Sequence, residues 1–217
     1  MASPQHKYLV KISESIDLTW LKPAWQNLDA QNSRLSFFHS WQWLECWLKS
    51  YNPDALLVSA EFEGSIVALG IFGKYQEHRH IFVSSKQLRL FQTGVSHEDQ
   101  VWVEFNDFLC HPDHINEASK ACLDGLLDSQ YGIEEIVISM MLKSRAHELK
   151  KDFAAIVTSM SAPSFRTDLQ ALSASNTSYM DSLSRNTRYQ VNRSKRRYED
   201  SYGELKLSFA TTKDQAL

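Results

Sequence analysis

The chain has 217 residues, is 43% hydrophobic and 12% aromatic, and carries a net charge of −3. That supplies enough apolar surface for one large core or two small ones and excludes extended disorder for most of its length. No apolar run approaches the roughly 18 to 20 residues of a bilayer span, and residues 1–11 lack the apolar stretch of a signal peptide, so a cytoplasmic protein is expected.

Tyr8 to Ile12 reads as a short strand, and Leu18, Leu21, Trp25 and Leu28 recur at helical spacing. Pro23 is tolerated in a first turn but not in an interior, which puts the start of the regular helix near Lys22. From Ser40 to Leu48 a second helix places Trp43 and Trp47 on one face, with the Ser40 hydroxyl as its cap. Two β runs, Ala55 to Phe62 and Ser65 to Phe72, are joined at Glu63-Gly64, a hairpin signal. A further strand pair is expected at His80 to Val83 and Gln87 to Phe91, and Val101 to Leu109 alternates as a half-buried strand should. Ile115 to Leu127 is an amphipathic helix and Glu135 to Met140 a strand. This order predicts an α/β (α+β) fold with a mixed central sheet flanked by helices.

Past Lys143 the sequence suggests a short helix to about Asp152 and a strand around Ala155 to Met160. Ser161 to Ser178 reads as an exposed connection. Ser178 and Asp181 have capping-box spacing and open a predicted long helix to Tyr202, with Met180, Leu183, Val191, Tyr198 and Tyr202 on its apolar side. Gly203 ends that helix and Glu204 to Phe209 begins a strand. The chain then halts in what reads as the start of another helix, which predicts truncation. The expected organisation is a first lobe over 1–160, a connection over 161–178, and the long basic helix with the start of a truncated second lobe over 179–217.

Several segments, in order, carry a family resemblance. They are Trp20 through Trp25 with Leu28, Ser36-Phe37-Phe38 followed by Ser40, Trp43 and Trp47, and the hairpin from Val58 to Gly70. After them come Glu104-Phe105-Asn106-Asp107-Phe108-Leu109 and Leu183-Ser184-Arg185-Asn186 with Arg188 and Arg196-Arg197-Tyr198-Glu199. Together they resemble the CelD-like branch of the GNAT acyltransferases, related to the FemAB-type tandem enzymes. The resemblance implies two GNAT-like lobes, the second carrying acyl-CoA (acetyl-CoA) binding and transfer to an amine or hydroxyl of a saccharide or other cell-surface precursor. It also implies that this chain lacks its partner lobe. Its seven glycines never form the closely spaced cluster that cradles a pyrophosphate, so no cofactor is expected in this chain alone and independent transfer is doubtful.

Six of the 23 basic residues lie between Arg185 and Arg197, where there is no acid; without them 17 bases face 26 acids. Arg185, Arg188, Lys195 and Arg196 are expected roughly opposite Leu183 and Val191, and Arg185, Arg188 and Arg196 are the candidates for holding an anionic substrate, since guanidinium forks suit phosphate and carboxylate. A solvated helix face is the structural alternative. Glu104 and Asp107 are the candidate general bases, and a structural hydrogen bond is the competing role. His97 with Glu98 and Asp99, and His111 with His114, superficially resemble metal ligands. The first trio lies in a polar loop and Asp113 can cap the helix after the second, so no metal is expected. Trp20, Trp25, Trp41, Trp43 and Trp47 read as core, and Cys46, Cys110 and Cys122 as reduced, buried thiols. Two function classes follow: an acyltransferase, or a non-catalytic module binding an anionic polymer or sugar-phosphate. Nucleic acid is the weak version of the second, because no aromatics interleave with the bases and no nucleic-acid-binding fold is recognised in the sequence.

Overall fold

The computed structural model describes residues 7–32, 36–80, 83–153, 155, 160–163 and 165–212, and the chain falls into two units, Met1–Ser161 and Ala162–Leu217. The first unit is a mixed six-stranded sheet with helices packed on it. Its elements run β1 (Leu9–Ser13), α1 (Leu18–Ala30), α2 (Trp41–Tyr51), β2 (Ala55–Phe62), β3 (Ser65–His80), β4 (Val83–Leu90), β5 (Leu109–Cys110), α3 (Ile115–Leu127), β6 (Glu135–Val137) and α4 (Lys143–Asp152). The sheet order is β1-β2-β3-β4-β6, with β5 paired to β3. All pairs are antiparallel except β4 with β6, which is parallel through Gln87↔Glu135, Leu88↔Ile136 and Arg89↔Val137.

Burial explains why these strands lie inside. Six consecutive residues of β2, from Ala55 to Ala60, are buried, a run that requires cover on both faces. On one face α3 packs so closely that a Cβ at Gly125 would touch the Val10 side chain. Phe108 lies over Gly70 and Phe72. Helices α1 and α2 close over Phe91 at the end of β4, where the Trp25 ring meets it edge-on at 5.8 Å.

The hairpin at Glu63-Gly64 forms with both residues at positive φ, and Ser40 caps α2 by accepting the Trp43 amide. Elsewhere the boundaries differ from those the sequence suggests. Helix α1 begins at Leu18, not Lys22, because the Asp17 carboxylate caps it through the Thr19 amide at 2.8 Å and hydroxyl at 2.6 Å; Pro23 sits inside. Strand β3 runs through Gly73 to His80 and pairs with β4 along its far half. Gly73, one residue past the expected end of this strand, marks a close backbone approach, since a Cβ there would collide with the Gln92 carbonyl. The expected strand Val101 to Leu109 shrinks to Leu109–Cys110. Phe105 takes a φ of 57°, and the Asn106 side-chain amide turns to donate to the Leu90 carbonyl at 2.9 Å, so this segment packs instead of pairing. β6 stops at Val137 ahead of a turn in which Met140 has φ 57°. Of the strand expected at Ala155 to Met160 only those two end residues lie among the described ones.

The second unit contains α5 (Leu169–Ala174), α6 (Tyr179–Ser182) and α7 (Arg185–Tyr202). The single helix expected from Ser178 to Tyr202 is therefore two. Leu183 is extended, and the Ser184 hydroxyl accepts the Thr187 amide, a cap that starts α7 afresh. Ser178 and Asp181 do cap α6, the amide of Asp181 donating to the Ser178 hydroxyl. Gly203, at φ 87°, ends α7, but Glu204 to Phe209 forms no strand. No helix among the described residues is long and apolar enough to cross a membrane.

Candidate functional site

Glu104 and Asp107 are not brought together. Glu104 is exposed and joins no ion pair among the described residues; its backbone carbonyl accepts the Ser36 hydroxyl. Asp107 is buried, and its carboxylate accepts Arg145 Nε at 2.6 Å and Nη2 at 3.5 Å as well as the Phe108 amide at 2.9 Å. Arg145, on α4, also donates to the Asn116 and Ser119 side chains of α3. The pair thus ties α4 and the segment before β5 to α3. Beside it the Cys110 thiol is pushed up to about 12 by burial. The carbonyl of Asp107 accepts His39 Nε2 at 3.0 Å, which fixes the neutral Nε2–H tautomer, and burial holds His39 below its ordinary range.

The histidine clusters have structural roles. Asp99 accepts the Thr93 and Gly94 amides, and His97 reaches Glu98 only at 4.0 Å. The Tyr8 hydroxyl bonds His114 Nδ1 at 3.0 Å. The His111 ring accepts the Asp113 amide, so His111 and not Asp113 caps the turn before α3. Among the described residues no group of His, Cys, Asp and Glu could hold a metal. Trp25, Trp41 and Trp47 are buried and Trp43 meets Phe38 edge-to-face, while Trp20 is 43% exposed. Cys110 and Cys122 are buried, but Cys46 is exposed: it lies on the outer side of α2, flanked by Trp47 on the inner.

On α7 the sequence-based geometry needs correction. Leu183 and Met180 lie outside the helix. Lys195 stands one turn after Val191 and Arg188 three residues before it, so these two flank Val191 and do not oppose it. Arg188 and Lys195 reach Asp181 and Glu199, each at 3.7 Å. Arg185 and Arg196 have no carboxylate partner among the described residues, nor have Arg193 and Arg197.

Two arrangements were missed from sequence, the first because β3 was expected to end at Phe72. The first is a polar network across β3, β4 and β6. Arg79 and Gln87 donate to the same Glu135 oxygen at 2.6 Å each, and Arg89 bridges Gln87 and Glu77, its guanidinium 4.8 Å from the Tyr75 ring centre. Two cations and two carboxylates satisfy one another here around Gln87, which is 3% exposed, so the network's chemistry is to lock β6 parallel to β4. The period-two run Tyr75, Glu77, Arg79 against Gln87 and Arg89 was the available signal.

The second is the turn after β4. Asp99 accepts the Thr93 amide at 2.9 Å and hydroxyl at 3.2 Å with one oxygen, and the Gly94 amide at 2.8 Å with the other. Gly94, at φ 84°, is pressed on the Tyr75 ring. Consecutive backbone amides are what a phosphate would use, and here the chain's own carboxylate takes them.

No family model matches the chain, and no curated protein matches it. Among solved structures it is similar to a ribosomal-protein-alanine N-acetyltransferase from Brucella melitensis biovar Abortus 2308, with TM-score 0.43 and 16% identity over 75% of this chain and 100% of that one. A glucosamine-6-phosphate N-acetyltransferase from Arabidopsis thaliana gives TM-score 0.41 and 13% identity over 71% and 98%. An aminoglycoside acetyltransferase from an uncultured soil metagenomic sample gives 0.42 and 11% over 77% and 99%. The fold class itself, a mixed sheet flanked by helices, rests on the chain's own strand registers.

Proposed function

We propose that this chain is the amino-terminal lobe of a GNAT-type, acyl-CoA-dependent N-acyltransferase of the CelD-like branch, acting on an amine or hydroxyl of a saccharide or cell-surface precursor. The observation that carries the reading is the order β1-α1-α2-β2-β3-β4-α3-β6 with one parallel pair, β4 and β6, in an otherwise antiparallel sheet, alongside the ordered sequence resemblance. Acyl-CoA does not fit the turn after β4, where the Thr93 and Gly94 amides are spent on Asp99. The donor is therefore assigned to the second lobe, and no chemical step is assigned to this one. Of the two candidate bases, Glu104 is the one whose carboxylate is open, whereas Asp107 is committed to Arg145. Arg185, Arg188 and Arg196 are proposed to meet the anionic part of the acceptor. Calorimetric titration of acetyl-CoA into this chain and into a longer form with the second lobe tests the reading.

A second reading is favoured by one observation. Four guanidinium groups of α7, those of Arg185, Arg193, Arg196 and Arg197, have no carboxylate partner among the described residues, and the residues themselves are exposed, as a module binding an anionic polymer would require.

A further inference from the structure

We propose that one flank of α7 binds single-stranded nucleic acid, an inference that rests on the polymer-binding reading and names its polymer. At about 100° per residue, Arg185, Arg196, Tyr189, Arg193 and Arg197 fall, in that angular order, within an arc of roughly 120°. The four arginines of that arc are the ones without carboxylate partners among the described residues, whereas Arg188 and Lys195, outside it, each face an acid at 3.7 Å. Tyr189 sits near the middle of the arc, four residues from both Arg185 and Arg193, and is 54% exposed. Tyr189 is thus an aromatic ring interleaved with the arginines of this arc.

The shape of the surface selects a polymer over a small ligand. Arg185 to Arg197 spans about 18 Å along a helix flank, which is convex and encloses nothing, whereas small-molecule sites are concave. An extended chain of regularly spaced anions can meet the arginines in succession. Asp200, on the same arc one turn beyond Arg196, bounds the strip. Tyr189 then selects among polyanions. A sulfated glycan offers charge but no planar ring, and a duplex keeps its base faces stacked inside, while a single strand presents both phosphates and open base faces.

The test is fluorescence anisotropy of the full chain with a labelled single-stranded oligothymidine, its duplex of the same length, and heparin. Salt-dependent binding is expected, tighter for the single strand than for the duplex. The triple variant Arg185→Gln, Arg193→Gln, Arg196→Gln should weaken binding at least about tenfold and lower the log–log salt slope by about 2, at ~0.7 for each phosphate no longer neutralised. Tyr189→Ala should weaken oligothymidine about tenfold while leaving heparin unchanged, and Tyr189→Phe should bind like the wild type. Circular dichroism of each variant confirms that helicity is kept. Equal losses for heparin and oligothymidine on Tyr189→Ala, or a duplex bound as well as the single strand, overturn the inference. Heparin bound without oligothymidine overturns it and leaves the polymer reading standing; if neither is bound, both fall.

Discussion

Replacing Arg145 with Met tests whether Asp107 is a structural anchor. In the native chain both side chains are only 13% exposed and the Arg145 Nε to Asp107 contact is 2.6 Å. Deleting one partner of a buried pair leaves an uncompensated charge, a loss of about 3 to 5 kcal/mol. Asp107 keeps the Phe108 amide and some solvent access, so the expected loss is at the lower end, about 2 to 4 kcal/mol. Urea unfolding of Arg145→Met, Asp107→Asn and the double variant measures it. The double variant should be less destabilised than the sum of the singles, because neutralising Asp107 removes the stranded charge. A loss below about 1 kcal/mol for Arg145→Met would place the pair among solvated surface contacts and return Asp107 to the candidate bases.

Two further outcomes follow from burial. His39 is held neutral, its pKa lowered chiefly by desolvation, so protonation favours the unfolded chain; stability should fall as pH drops below about 6.5, and His39→Gln should flatten that fall in a pH series of urea unfolding. An unchanged pH profile in the variant would contradict the assignment. Of the three thiols only Cys46 is exposed, while burial raises Cys110 and Cys122 well above the ordinary range, so iodoacetamide under native conditions should label Cys46 alone; mass mapping of label on Cys110 or Cys122 would refute the packing.

What the sequence showed clearly was whatever local periodicity controls. Ile115–Leu127 and the Glu63-Gly64 turn are local patterns, and the fold holds that helix, β2 and the start of β3 at the expected positions. What it hid depends on partners far along the chain. Strand β3 was expected to stop at Phe72, and no local pattern shows that Gln92 occupies the space of a side chain at Gly73. Alternation from Val101 to Leu109 mimics a strand, but Asn106 is drawn to Leu90 and Asp107 to Arg145, contacts no period reveals. The same limit applies to function. Glu104 and Asp107 lie three apart in sequence yet have opposite fates, one open and one ion-paired, and the closing of the turn after β4 depends on Asp99, five residues beyond Gly94. At α7, the local cap at Ser184 was readable and was overridden by the apparent continuity of the apolar stripe.

We propose that this chain leaves the acyl donor to a second lobe, because the Thr93 and Gly94 amides of the turn after β4 are already taken by Asp99. Calorimetric titration of acetyl-CoA, run side by side on this chain and on a longer form containing the second lobe, tests it most directly. Saturable, stoichiometric binding by the longer form and no saturable heat with this chain is the predicted result. Tight stoichiometric binding by this chain, or none by the longer form, would contradict it.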